Sequence, residues 1–267
     1  MSAGGRAVAG PEFLRWLPSL RADPVLDPGE VTLLCVPYAG GSASLYRPWR
    51  AAAPAGIRVV PVQPPGRMER LREEPLRSAE ALAEGLGRAV LDSGVRRYAL
   101  FGISLGALVA YETAHWLTAA GLPPEHLVVA SSPGPALPRP AQGAVHLGPD
   151  EQLVDVLAEL GVTPPELLAH QEMRGLLLPV LRADFAVTET YVHRPRAALH
   201  APVTVVHGAQ DRYVGDEAAR AWRRETRGAF QVRRLAAGHF VLPERSAEVL
   251  ELVRAALAAP VGAPAQE

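Results

Sequence analysis

The chain has 267 residues with 27 basic and 28 acidic side chains, and a net charge of −1 offers no electrostatic reason for nucleic acid or an anionic membrane as a partner. Hydrophobic residues at 48% and charged residues at 21% exclude a wholly disordered chain, and the length suits one domain carrying an insertion. Lysine and asparagine are absent, which excludes a Schiff-base lysine, a pyridoxal-phosphate enzyme, a Walker A loop, N-glycosylation and a Cys-His-Asn catalytic set.

In chain order, the first twenty residues lack the apolar core of a signal peptide, and no run approaches 18 apolar residues. A cytoplasmic protein without a membrane span is expected. Residues 1–29 read as an N-terminal extension whose FLRWLPSL segment docks on the body. Short apolar, β-branched runs follow at 31–36, 57–62, 98–103, 127–131, 203–207 and 230–235. Apolar residues at consecutive positions suit parallel strands covered on both faces. The lone cysteine, Cys35, lies in the first run, so neither an intramolecular disulfide nor a multi-cysteine zinc site can form. Helical periodicity occupies 78–92, 105–120 and 245–259, and strand–helix alternation predicts an α/β fold with a doubly wound parallel sheet. Between 131 and 203 lie about seventy residues where a crossover needs a dozen or so. Helical patterns at 150–160, 164–170 and 172–190 predict an inserted helical lid over about 137–195, within a domain spanning 30–259. Residues 260–267 read as a frayed tail.

Gly102-Ile103-Ser104-Leu105-Gly106 joins the run YALF to the helix LGALVAYETAHWL. Gly-x-Ser-x-Gly in a strand–turn–helix context is the pattern of a nucleophile elbow. The turn strains the serine, and glycines two before and two after avoid collision with it. Serine needs a base, and on this fold the partners follow in the order acid, then histidine. His239, in the loop after the last strand, is the candidate base. Asp211, in the loop after the preceding strand, is the candidate acid, with Asp216 and Glu217 as nearby alternatives. His207 reads as packing beside that loop. The Leu105 N–H at the helix start is one candidate oxyanion donor. The loop Pro37-Tyr38-Ala39-Gly40-Gly41 after the first strand supplies the second, with Ala39 preferred over Tyr38. No metal or cofactor is called for.

PYAGGSASLYRPW, QPPGRMERLREEP, GISLGALVAYETA, HGAQDRYV and GHFVL occur in the order found in type II thioesterases. The chain resembles that group over about residues 30–255, and the PYAGG loop together with the PPGR segment is the more specific part of the likeness. The resemblance implies an α/β-hydrolase that removes stalled or misprimed acyl groups from the phosphopantetheine arm of acyl or peptidyl carrier proteins. A chain-releasing or cyclising thioesterase, or a carboxylesterase, would use the same three side chains, so these alternatives stay open. A non-catalytic binding module would lack one of the three. Within the lid, Leu176, Leu177, Leu178, Phe185 and Val187 are candidate walls of an acyl chamber, and Tyr38 is a further candidate substrate-binding residue. Arg67, Arg70 and Arg139 are candidate contacts for an acidic carrier protein.

Overall fold

The computed structural model describes residues 11–138, 144–161, 166 and 170–258. Six parallel strands form one sheet: β1 (Val31–Val36), β2 (Ile57–Pro61), β3 (Tyr98–Ile103), β4 (His126–Ala130), β5 (Val203–Gly208) and β6 (Phe230–Leu235). Their order across the sheet is β2-β1-β3-β4-β5-β6. Each expected run is a strand, with ends shifted by a residue at most.

The central strands are buried on both faces because successive side chains enter different cores. In β3, Tyr98 and Leu100 join one cluster, while Ala99, Phe101 and Ile103 join the other. The first face is covered by α3 (Ala79–Ser93) and α4 (Leu105–Ala119). The second is covered by α2 (Arg47–Ala51) and α8 (Val241–Ala258), with Trp49 and Val249 buried there. Cys35 is fully buried on this second face, and burial pushes its thiol well above the usual range. That removes it as a nucleophile at neutral pH.

Helix α3 starts where the sequence predicts, at Ser78, whose hydroxyl accepts the Ala81 N–H at 3.2 Å. The short helix α1 (Phe13–Trp16) and the following turn bury Trp16, Leu17 and Leu20 in the first core. The predicted last helix begins earlier than its periodicity indicates, at Val241, with a kink at Arg245.

Between β4 and β5 the chain forms α5 (Asp150–Leu160) and α6 (Gln171–Glu189). The expected helix at 164–170 lies almost wholly outside the described residues, as do Arg139 and the tail. Helices α5 and α6 share a small apolar cluster of Val145, Leu153, Leu157, Leu178, Leu181 and Phe185. The turn at Val145–Leu147 is tied to α6 by Glu189, which accepts the Val145 and His146 N–H groups at 3.0 and 3.1 Å. The second half of α6 is largely buried, through Leu178, Leu181, Asp184 and Val187. Helix α7 (Asp216–Arg220) follows β5.

The strand order places a reversal between β1 and β3. From β1 the chain moves to β2 on one side, then returns to β3 on the other. Loops leaving the carboxyl ends of β1 and β3 diverge and leave a crevice, where ligands bind in open α/β sheets.

Candidate active site

Ser104 occupies the turn between β3 and α4 with φ 54° and ψ −116°. Such a conformation costs about 1–3 kcal/mol in a non-glycine residue. Surrounding structure holds it: the Ser104 N–H donates to the Ala130 carbonyl at 2.8 Å, extending the β3–β4 ladder by one bond. A Cβ on Gly102 would stand 2.1 Å from the Gly106 oxygen, and one on Gly106 would stand 2.3 Å from the Val36 oxygen. Both neighbours are backbone and cannot swing aside. The two glycines are therefore what lets α4 start this close to β3 and β1.

His239 lies in the loop after β6. Its Nε2 is 3.4 Å from Ser104 Oγ, at the long end of hydrogen-bonding reach, as is common before substrate binds. Its Nδ1 is 2.9 Å from Asp211 Oδ2. The Asp211 side chain is fully buried, and its other oxygen accepts the N–H groups of Tyr213 at 2.8 Å and Val214 at 3.1 Å. Those two bonds fix the carboxylate, so the oxygen facing His239 has one orientation. Aromatic edges confine the imidazole: ring centroids of Tyr213 and Phe240 lie 5.2 and 5.0 Å away, and Tyr38 packs on Phe240 at 5.4 Å. Partial burial raises the Tyr38 phenol above its ordinary range, so it stays protonated at neutral pH.

Asp216 does not reach this histidine. It lies on α7 with Oδ1 3.1 Å from His207 Nε2, outside hydrogen-bond geometry. The structure thus brings Ser104, His239 and Asp211 together and leaves Asp216 apart.

The loop after β1 turns at Tyr38–Gly41, closed by the Gly41 N–H donating to the Tyr38 carbonyl at 2.9 Å. Gly40 takes φ +75°, as the third position of a type II turn requires. Ala39 and Leu105 both line the cavity that contains Ser104 and His239. Among the described residues, neither of their N–H groups donates to another protein group. Free N–H groups on two residues lining one cavity are the kind of donors that can hold a developing oxyanion.

That cavity measures about 120 Å³. Its walls are mostly apolar, with Leu157, Leu160, Leu181 and Phe185 from α5 and α6 facing Tyr38 and Phe240. Of the five lid residues expected as walls, Phe185 alone lines it. Leu176 points to solvent, Leu177 and Leu178 pack within the lid, and Val187 joins the main core. Ser131 also lines the cavity, 1% exposed and at φ 49°, and its hydroxyl has no hydrogen-bond partner among the described residues.

Two expected surface contacts are corrected. Arg67 is 6% exposed and makes a two-pronged ion pair with the fully buried Asp184 of α6, at 2.8 and 2.9 Å. Arg70 is 5% exposed, grips Glu73 at 2.9 and 2.6 Å and lies over the Trp16 ring. Neither guanidinium is available to a carrier protein. Arg67 was visible in the sequence as part of the PPGR segment, whereas its partner was missed. The one signal for Asp184 was an acid on the apolar face of a helix, between Leu181 and Val187.

Comparison with known proteins identifies the family of the chain. The family model described as the thioesterase domain matches residues 31–257. The thioesterase PikA5 of Streptomyces venezuelae is 37% identical, over 88% of this chain and 83% of its own length. The RedJ thioesterase from the prodiginine pathway of Streptomyces coelicolor superposes with a TM-score of 0.80 at 38% identity, covering 88% of this chain and 92% of that one. The type II thioesterase BorB from the borrelidin cluster gives 0.79 at 37% identity, over 86% and 94%. The chain belongs to the thioesterase family and, within it, to the type II thioesterases of polyketide and nonribosomal peptide pathways, hydrolases of the α/β-hydrolase fold.

Proposed function

We propose that this thioesterase edits: it hydrolyses short, stalled acyl groups from the phosphopantetheine arm of acyl or peptidyl carrier proteins in the cytoplasm. The observation that carries the reading is the hydrogen-bonded array Ser104, His239, Asp211, whose first two members line a small apolar cavity. Ser104 Oγ attacks the thioester carbonyl while His239 Nε2 takes its proton. Asp211 holds the imidazole in the tautomer that leaves Nε2 free and stabilises the imidazolium that forms. The N–H groups of Ala39 and Leu105 receive the oxyanion. His239 then protonates the departing thiolate, and water repeats the cycle on the acyl-enzyme.

Cavity size supports short acyl groups. A cavity of about 150 Å³ accommodates benzene, and this one is smaller at about 120 Å³. A small cavity suits a short acyl group better than the long, folded-back chain that a macrocyclising or chain-releasing enzyme must hold, and this supports the editing reading. Helices α5 and α6 act as the lid that bounds it.

The test compares wild type and Ser104→Ala on acetyl-, propionyl-, butyryl- and longer acyl-carrier proteins, with p-nitrophenyl esters alongside. The reading expects turnover of short acyl-carrier thioesters, preferred over the esters, and its abolition in Ser104→Ala. Retained turnover in the alanine variant, or a preference for long finished chains, would refute it.

A further inference from the structure

We propose that Asp184 and Arg67 are positioning residues for the oxyanion loop, coupling the lid helix to the backbone that carries Ala39. The proposal rests on the reading of Ala39 as an oxyanion donor. Asp184 projects from α6 and accepts the Gly40 N–H at 2.7 Å. Arg67 Nη1 donates to the Gly41 carbonyl at 3.2 Å as well as to Asp184. The two residues following Ala39 are therefore both held by this pair. Leu181, one turn before Asp184, packs on the same loop, where a Cβ on Gly40 would stand 2.6 Å from its Cδ2.

The loop needs such a hold. Type I and type II turns differ by rotation of the peptide between the second and third residues, and glycine at the third position permits both. Here that peptide joins Ala39 to Gly40, and it adjoins the Tyr38–Ala39 peptide that carries the Ala39 N–H, so holding it restrains that N–H through one Cα. A charge-assisted bond from the Gly40 N–H to a carboxylate fixes its orientation, and rotation would bring the Ala39 carbonyl against Asp184. The carboxylate alone would oppose a negative charge developing one residue away. Arg67 neutralises it with two parallel bonds, and its Nε donates to the Pro65 carbonyl at 3.2 Å. A buried ion pair adds little net stability over an apolar pair of the same size, so positional control is the better account of its presence.

The experiment uses the full chain with Asp184→Asn, Asp184→Ala, Arg67→Met and the double variant Arg67→Met/Asp184→Leu. Ser104→Ala is the separate control on the catalytic reading. Readouts are kcat and KM on a butyryl thioester, inhibition by butylboronic acid as a tetrahedral mimic, and folding by circular dichroism. Asp184→Ala should lower kcat on the order of 10²-fold, the loss expected for a misplaced group. Boronate affinity should fall in step, while KM changes by no more than about twofold. Asp184→Asn keeps an acceptor for Gly40 and should lose less. Arg67→Met should be worse than the double variant, because it leaves an unneutralised carboxylate. Where a single variant does not fold, the double variant decides. Folded variants with wild-type kcat and boronate affinity, or with lowered thermal stability alone, would overturn the proposal. Turnover retained in Ser104→Ala would instead overturn the catalytic reading.

Discussion

Replacing Asp211 by asparagine is the sharpest test of the acid assignment. Oδ1 is tied to two backbone N–H groups, and Oδ2 faces His239 Nδ1 at 2.9 Å. In Asp211→Asn the amide oxygen keeps the two backbone donors. Turning the amide over would sacrifice both bonds, at roughly 1 kcal/mol each, and oppose donor to donor. The NH₂ therefore faces Nδ1, which must then present its lone pair. The imidazole proton moves to Nε2, the atom that should accept the Ser104 proton. Turnover should fall by about 10⁴, or about 5 kcal/mol of transition-state stabilisation, with little change in thermal stability. Asp216→Asn and Glu217→Gln lie on α7 and should leave turnover near wild type. Steady-state hydrolysis of a butyryl thioester by the three variants is the assay. A loss below about tenfold in Asp211→Asn, or a larger loss in either control, would refute the reasoning.

Gly102→Ala places a Cβ 2.1 Å from the Gly106 oxygen, forcing β3 and α4 apart. It should destabilise by about 1–3 kcal/mol and cost on the order of 10²-fold in kcat/KM; an active variant of normal stability would count against the elbow geometry. Phe185→Ala should deepen the acyl cavity. For wild type, kcat/KM should rise about fourfold per methylene that fits, at about 0.8 kcal/mol each, then break sharply. The break should move to longer chains in the variant, and an unmoved break removes Phe185 from the wall. Burial holds the His126 imidazole down to about 4, below the unfolded value near 6.5. The unfolded chain then binds the extra proton first, so His126 contributes full stability above about pH 6.5 and loses it as pH falls toward 4, by roughly 3 kcal/mol. Thermal melts of His126→Gln between pH 7.5 and 4.5 should show a shallower decline than wild type, and parallel declines would sink the argument.

The strands and the strained turn that holds Ser104 were legible in the sequence because short local patterns mark them. A run of apolar residues at consecutive positions must be buried on both faces wherever it lies. Gly102 is crowded by Gly106 and Ala107 a few positions on, whereas Gly106 is crowded by the Val36 and Pro37 carbonyls of a distant strand end, so for Gly106 only the motif was legible. Asp211 and His239 followed from strand order, because each sits in the first loop after its strand. Tertiary structure alone decided which lid residues face the cavity. Periodicity defines an apolar face on α6, yet Leu176 is exposed while Leu181 and Phe185 meet the cavity beside Ser104, because the helix packs against the loop after β1 only along its second half. It also decided the fate of Arg67. An arginine in a polar, proline-rich loop reads as a solvated charge until a carboxylate 117 positions away arrives to bury it. Such pairing depends on where two distant elements dock, and the sequence of neither element carries that information.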